Sequence, residues 1–100
     1  MKYIKTFENQ NPKLVDAARF GEFKKLKDIL RNGADVNTDY NGRNAIFWAV
    51  YNGNLEMVKY LINSGANVDD HILTIARGNW NNPEIIKEIQ FALDANKYNL

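Results

Sequence analysis

The chain is similar to itself. Shifted by 32 residues, Leu14–Asn37 aligns with Ile46–Asp69, and six of the 24 pairs are identical: Ala17/Ala49, Gly21/Gly53, Lys27/Lys59, Gly33/Gly65, Ala34/Ala66 and Val36/Val68. The apolar positions repeat too, as Leu14/Ile46, Val15/Phe47, Phe23/Leu55, Leu26/Val58, Ile29/Leu61 and Leu30/Ile62. Small, glycine and apolar positions agree while most others vary, so it is a structural unit that repeats, not a ligand site. A unit this short cannot bury its own hydrophobic face, and neighbouring units must share one core. That suits 100 residues, enough for a single small domain with little apolar area to spare.

Each unit reads as two short helices. Phe23, Leu26, Ile29 and Leu30 keep a helical spacing, as do Leu55, Val58, Leu61 and Ile62. Gly33 and Gly65 stand where a helix ends on a left-handed residue, and Gly21 and Gly53 separate the first helix from the second. Ala17 and Ala49 fall mid-helix, where a small side chain lets neighbours approach. Between the units, Asn41-Gly42 signals a tight hairpin turn with positive φ.

On these residues the chain resembles the ankyrin repeat family. The second unit carries the likeness best, in Asp39-x-x-Gly42, Ile46, Ala49, Gly53, Leu55-Glu56, Val58, Leu61-Ile62 and Gly65-Ala66-Asn67-Val68-Asp69. The first contributes Ala17-Ala18, Gly21, Leu26, Ile29-Leu30 and Gly33-Ala34-Asp35-Val36-Asn37. The family's threonine-proline-leucine-histidine stretch is here Asn44-Ala45-Ile46-Phe47, in which Asn44 still serves as a helix cap. The resemblance implies an all-α solenoid of about three stacked helix-turn-helix units in one domain, residues 1–100. The repeats run over about 12–37, 38–69 and, atypically, 70–96. In the last, Glu84-Ile85-Ile86-Lys87 echoes Glu56-Met57-Val58-Lys59 at offset 28, the projecting turn is missing, and a loop Gly78-Asn79-Trp80-Asn81-Asn82 precedes Pro83. Asn11-Pro12 reads as the first helix start, and residues 1–10 as a capping strand, a helix or an arm.

Chemistry is scarce. There is no cysteine, which excludes disulfides and thiolate sites, and His71 is the single histidine. Asp69-Asp70-His71 is the one cluster with a metal-like composition, but three adjacent residues cannot converge on an ion, and it reads as a capped helix start. Asp35 and Asp39 fall on turn positions, where aspartate bonds its own backbone. Neither an enzyme activity nor a cofactor or metal is expected. No apolar run approaches a membrane span and no signal-peptide core follows Met1, so the expected compartment is the cytoplasm. A net charge of +1 offers no bulk attraction to nucleic acid, and Lys24, Lys25, Lys27 and Arg31 read as one solvated helix face.

Ankyrin repeats bind partners with the projecting turns and first helices, which form a concave face. The resemblance therefore implies a partner site made of Thr38, Tyr40, Asn41 and Arg43 on the turn, Trp48, Tyr51 and Asn52 in unit two, and Asp16, Arg19 and Phe20 in unit one. Trp48 stands where its counterpart is the polar Asp16, which favours surface over core, and Trp, Tyr and Arg are hot-spot types. Trp80 reads either as a cap on the last repeat or as a rim contact, and Phe47 as structural. The expected function is non-catalytic binding of another protein. A stoichiometric inhibitor is the specific form suggested by small size, lone-domain status and an Asn-, Lys-, Ile- and Tyr-rich composition typical of AT-rich genomes. The alternatives are a nucleic-acid-binding module and a small regulatory or structural subunit. Self-association is left open, because a short stack has apolar ends.

Overall fold

A computed structural model describes residues 13–98; the Asn11-Pro12 helix start and the segment 1–10 lie outside them. Among the described residues the chain forms six helices and one hairpin. Helix α1 covers 13–19, followed by α2 (Phe23–Arg31), strands β1 (Asp39–Tyr40) and β2 (Arg43–Asn44), α3 (Ala45–Tyr51), α4 (Leu55–Asn63), α5 (Asp70–Asn79) and α6 (Pro83–Tyr98). The fold is an all-α stack of three helix pairs. Helix α3 packs against both α4 and α5, and α6 against both α4 and α5; Arg19 of α1 meets Trp48 of α3 and Phe23 of α2 meets Tyr60 of α4, so α1, α3 and α5 form one row and α2, α4 and α6 the other. Among the described residues no helix is long and apolar enough to cross a membrane.

The repeat is visible in the backbone bonding. Each first helix closes with the same six-residue bond, Glu22 N–H to Ala17 C=O and Asn54 N–H to Ala49 C=O, at 2.8 and 2.9 Å. The second helices close alike, with Ala34 N–H bonding Ile29 C=O and Ala66 N–H bonding Leu61 C=O, at 3.3 and 3.0 Å. Both closures use a left-handed residue, and the glycines at 21, 33, 53 and 65 supply it, with φ between 70° and 101°. Asn44, Asn54 and Asp69 cap α3, α4 and α5 by accepting the N–H of Phe47, Met57 and Ile72. The hairpin turns at Asn41-Gly42, with φ of 58° and 78°, and pairs Asp39 with Asn44 and Tyr40 with Arg43. Asp39 accepts the Gly42 N–H across this turn, while Asp35 accepts that of Asn37.

One hydrophobic cluster runs through all three pairs, from Leu14 and Leu26 through Ile46, Met57 and Leu61 to Leu73, Ile85 and Ile89. No polar side chain is buried among the described residues. Ala17, Ala49 and Ala76 are all nearly inaccessible and let the inner helices approach one another. On the outer row, the Phe23 and Tyr60 rings meet edge to face at 5.5 Å, with Lys27 Nζ 4.5 Å from the Phe23 ring centre. Lys27 thus leaves the solvated face it was expected to share with Lys24, Lys25 and Arg31, and lies half-buried on an inter-repeat aromatic contact.

The third unit departs from expectation in one place. Gly78 and Asn79, expected in a loop, are the last turn of α5. Two donors from this end, Asn79 Nδ2 and Trp80 Nε1, both reach the Tyr51 carbonyl at 2.8 Å, which ties the helix end to α3 and overrides its weak helical propensity. Asn81, with φ of 47°, takes the role of Gly21 and Gly53, and Asn82 accepts the Glu84 N–H at the start of α6.

Trp80 also lies across Gly53, where a Cβ would come within 2.8 Å of the indole Cδ1, whereas one at Gly21 would meet nothing within 4 Å. Gly21→Ala is therefore expected to cost only the left-handed backbone strain, about 1–2 kcal/mol. Gly53→Ala will cost more than Gly21→Ala in urea unfolding, and the excess will vanish in a Trp80→Ala background. An equal cost in both backgrounds would mean that the indole does not press on this turn.

Candidate functional site

The hairpin leads straight into α3, so the turn projects beside the exposed side of the inner helices. Six of the expected site residues come together there. Asp16 and Arg19 from α1, Tyr40, Asn41 and Arg43 from the hairpin and Trp48 from α3 line one groove with Val15, enclosing about 130 Å³. The sequence assigned Val15 to the core. It is indeed almost inaccessible, and it forms the apolar floor of the groove.

Trp48 is the centre of this group. It is half-buried, its ring meeting Phe47 edge to face at 5.1 Å and Tyr51 at 5.5 Å, while Phe47 and Tyr51 stack at 5.7 Å. Phe47 is thus structural, as expected, since it packs on the core and backs the Trp48 ring. Two guanidinium groups approach the indole, Arg19 at 5.2 Å and Arg43 at 5.7 Å from the ring centre. Arg19 also lies 5.2 Å from the Phe20 ring, and Arg43 lies 5.3 Å from Phe47. These distances fall within the range of cation–π attraction, which orients a guanidinium while leaving its N–H edge accessible. Among the described residues neither arginine has an ion pair or a side-chain hydrogen bond, whereas Arg31 on α2 pairs with Asp28 at 3.1 Å.

The remaining expected residues are placed differently. Thr38 is half-buried just before β1, and Tyr51 is 44% exposed at the end of α3. Phe20 is 66% exposed at the α1–α2 turn, beyond the groove. Asn52 is a structural tie: its amide donates to the Arg19 carbonyl at 2.8 Å, joining unit two to unit one. Trp80 is outside the groove. It occupies the position of Asn52 one unit on, and its indole N–H reaches the Tyr51 carbonyl as the Asn52 amide reaches that of Arg19. It is nonetheless 63% exposed, and it borders a separate hollow of about 490 Å³ with Asn52, Gly53, Asn81, Asn82 and Pro83. Asn37, the last residue of the first unit's Gly33-Ala34-Asp35-Val36-Asn37 ending, is a third tie between units. Its side chain accepts the Asn67 N–H at 2.7 Å and donates to the Gly65 carbonyl at 3.3 Å.

Replacing Asn52 with alanine removes a cross-unit bond that nothing else makes to the Arg19 carbonyl. A stability loss of about 1 kcal/mol is expected, read as a lower urea midpoint with unchanged slope.

The comparisons agree with this architecture. A family model described as ankyrin repeats, in three copies, matches residues 14–99. Ankyrin repeat domain-containing protein 40 of Homo sapiens is 33% identical over 69 residues, which cover 67% of this chain and 18% of that protein. Palmitoyltransferase ZDHHC13 of Mus musculus is 33% identical over 63 residues, 62% of this chain and 10% of its own length. Potassium channel AKT1 of Arabidopsis thaliana is 44% identical over 54 residues, 53% of this chain and 6% of the channel. The match thus spans a small part of each of these relatives.

Proposed function

The chain belongs to the ankyrin repeat family, and on that premise we propose that it binds another protein through the face formed by the hairpin and the inner helices. Ankyrin repeats are generally protein–protein interaction modules. The observation that carries the reading for this chain is the convergence of Arg19, Tyr40, Arg43 and Trp48 on one groove. Trp, Tyr and Arg concentrate binding energy because they bring large contact areas and directed donors. Here the Trp48 ring is braced by Phe47 and Tyr51, so little of its side-chain entropy is lost when a partner docks.

The role is non-catalytic. The carboxylates that attract attention in the sequence already serve the backbone: Asp35 and Asp39 hold turns, and Asp69 caps α5. A rigid face acts by covering what it binds, which is how a stoichiometric inhibitor works, and that is the specific role proposed here.

The test is affinity capture from source cells with the wild-type chain and two variants, Trp48→Ala and Tyr40→Ala. Tyr40 is 50% exposed on the two-residue β1, so its loss leaves the core intact. Both variants are expected to melt cooperatively and to lose the captured protein. Undiminished capture by both would move the binding surface elsewhere on the stack.

A further inference from the structure

The groove carries a charge arrangement that specifies its partner further. Arg19 and Arg43 come from different units yet flank the same indole, at 5.2 and 5.7 Å. Bringing two guanidinium groups to one ring is unfavourable unless something offsets their repulsion, and among the described residues no carboxylate pairs with either. The two nearby acids do not do so. Asp16 lines the groove without an ion pair to them, and Asp39 directs its Oδ1 to the Gly42 N–H. Two other cations of the described surface do have carboxylate partners, Arg31 with Asp28 and Lys25 with Glu22. At Trp48 the chain leaves two guanidinium groups within cation–π distance of one ring, with no carboxylate partner among the described residues.

Resting on the protein-binding reading above, the geometry points to an acidic, extended segment of the partner as the occupant of this groove. A carboxylate is held by Arg19 and Arg43, and an adjacent apolar side chain lies on Trp48 and Val15. Charge complementarity is the first support: the groove holds two cations and one carboxylate in a chain whose overall charge is only +1. Carboxylate recognition by an arginine fork is bidentate and directional, and contact with a ring face leaves the N–H edge of a guanidinium free to make it. Size is the second support. About 130 Å³ is well below the roughly 300–1,000 Å³ typical of a small-molecule site, and suits one or two side chains. A nucleic-acid strand fits less well. Phosphate tracking needs a line of cations, and the Lys24, Lys25 and Arg31 group belongs to α2, on the other row of helices.

The experiment uses the full chain and an array of fluorescein-labelled 12-residue peptides. Each peptide carries a central Glu or Asp beside a Leu or Phe, and each has a partner in which the acid is replaced by Gln or Asn. Binding is read by fluorescence polarisation, with a 12-nucleotide single-stranded RNA as a further probe. The acidic peptides are expected to bind at least about tenfold tighter than their amide partners. Arg19→Gln and Arg43→Gln should each erase that preference while leaving the melting temperature near that of wild type, and Arg43→Glu should reverse it toward peptides carrying Lys in place of the acid. Equal binding of acid and amide peptides, no binding by any peptide, or tighter binding of the RNA would each overturn the inference. Peptides that bind through Trp48 without a carboxylate preference would sink this inference alone, since the wider reading is judged by whole-protein capture.

Discussion

Helices of seven to ten residues, the lengths of α2 to α5, do not hold themselves together in water. Everything in this molecule follows from having to brace them sideways. The apolar stripe of each helix finds cover only on its neighbours, and the alanines at 17, 49 and 76 set how closely those neighbours come. Polar bonds between units follow one rule. Asn52 donates to the Arg19 carbonyl, Asn79 and Trp80 donate to that of Tyr51, and Asn37 engages the Gly65 carbonyl and the Asn67 N–H. Every one of these ends on backbone, which any residue provides. Arg19, Arg43 and Trp48 supply none of these side-chain bonds and are available for other work.

Most of this plan was legible at offset 32. The pairing of Gly21 with Gly53 and of Gly33 with Gly65 located both kinds of helix closure, and Asn41-Gly42 located the hairpin. The third unit was harder because its features are chemically disguised. Asn81 stands in for a glycine, and Trp80 stands in for Asn52. An indole and a carboxamide look unrelated in sequence, yet each contributes one N–H to the equivalent carbonyl of the preceding unit. Gly78 and Asn79 argued for a loop by propensity, and two tertiary hydrogen bonds made them helix.

The groove was legible residue by residue but not as a group. The period places Asp16 and Trp48 at matching positions, and the family resemblance singles out the turn. That Arg19 and Arg43 meet over one ring depends on the separation of α1 from the hairpin, a distance that no offset encodes. Val15 was hidden for a different reason: a buried side chain can be both core and floor, and apolar periodicity reports only the first.

Among the described residues the stack carries a single hairpin, between units one and two, and Asp69 leads straight into α5 with no second projection. The inner face thus has a wall beside α3 and lies open beside α5. The two ends of the inner face therefore differ in shape, and the face has polarity. Beside α5 the described residues carry no cation–π pair like that of Arg19 and Arg43 with Trp48. One missing turn thus gives the two ends of the inner face different neighbours.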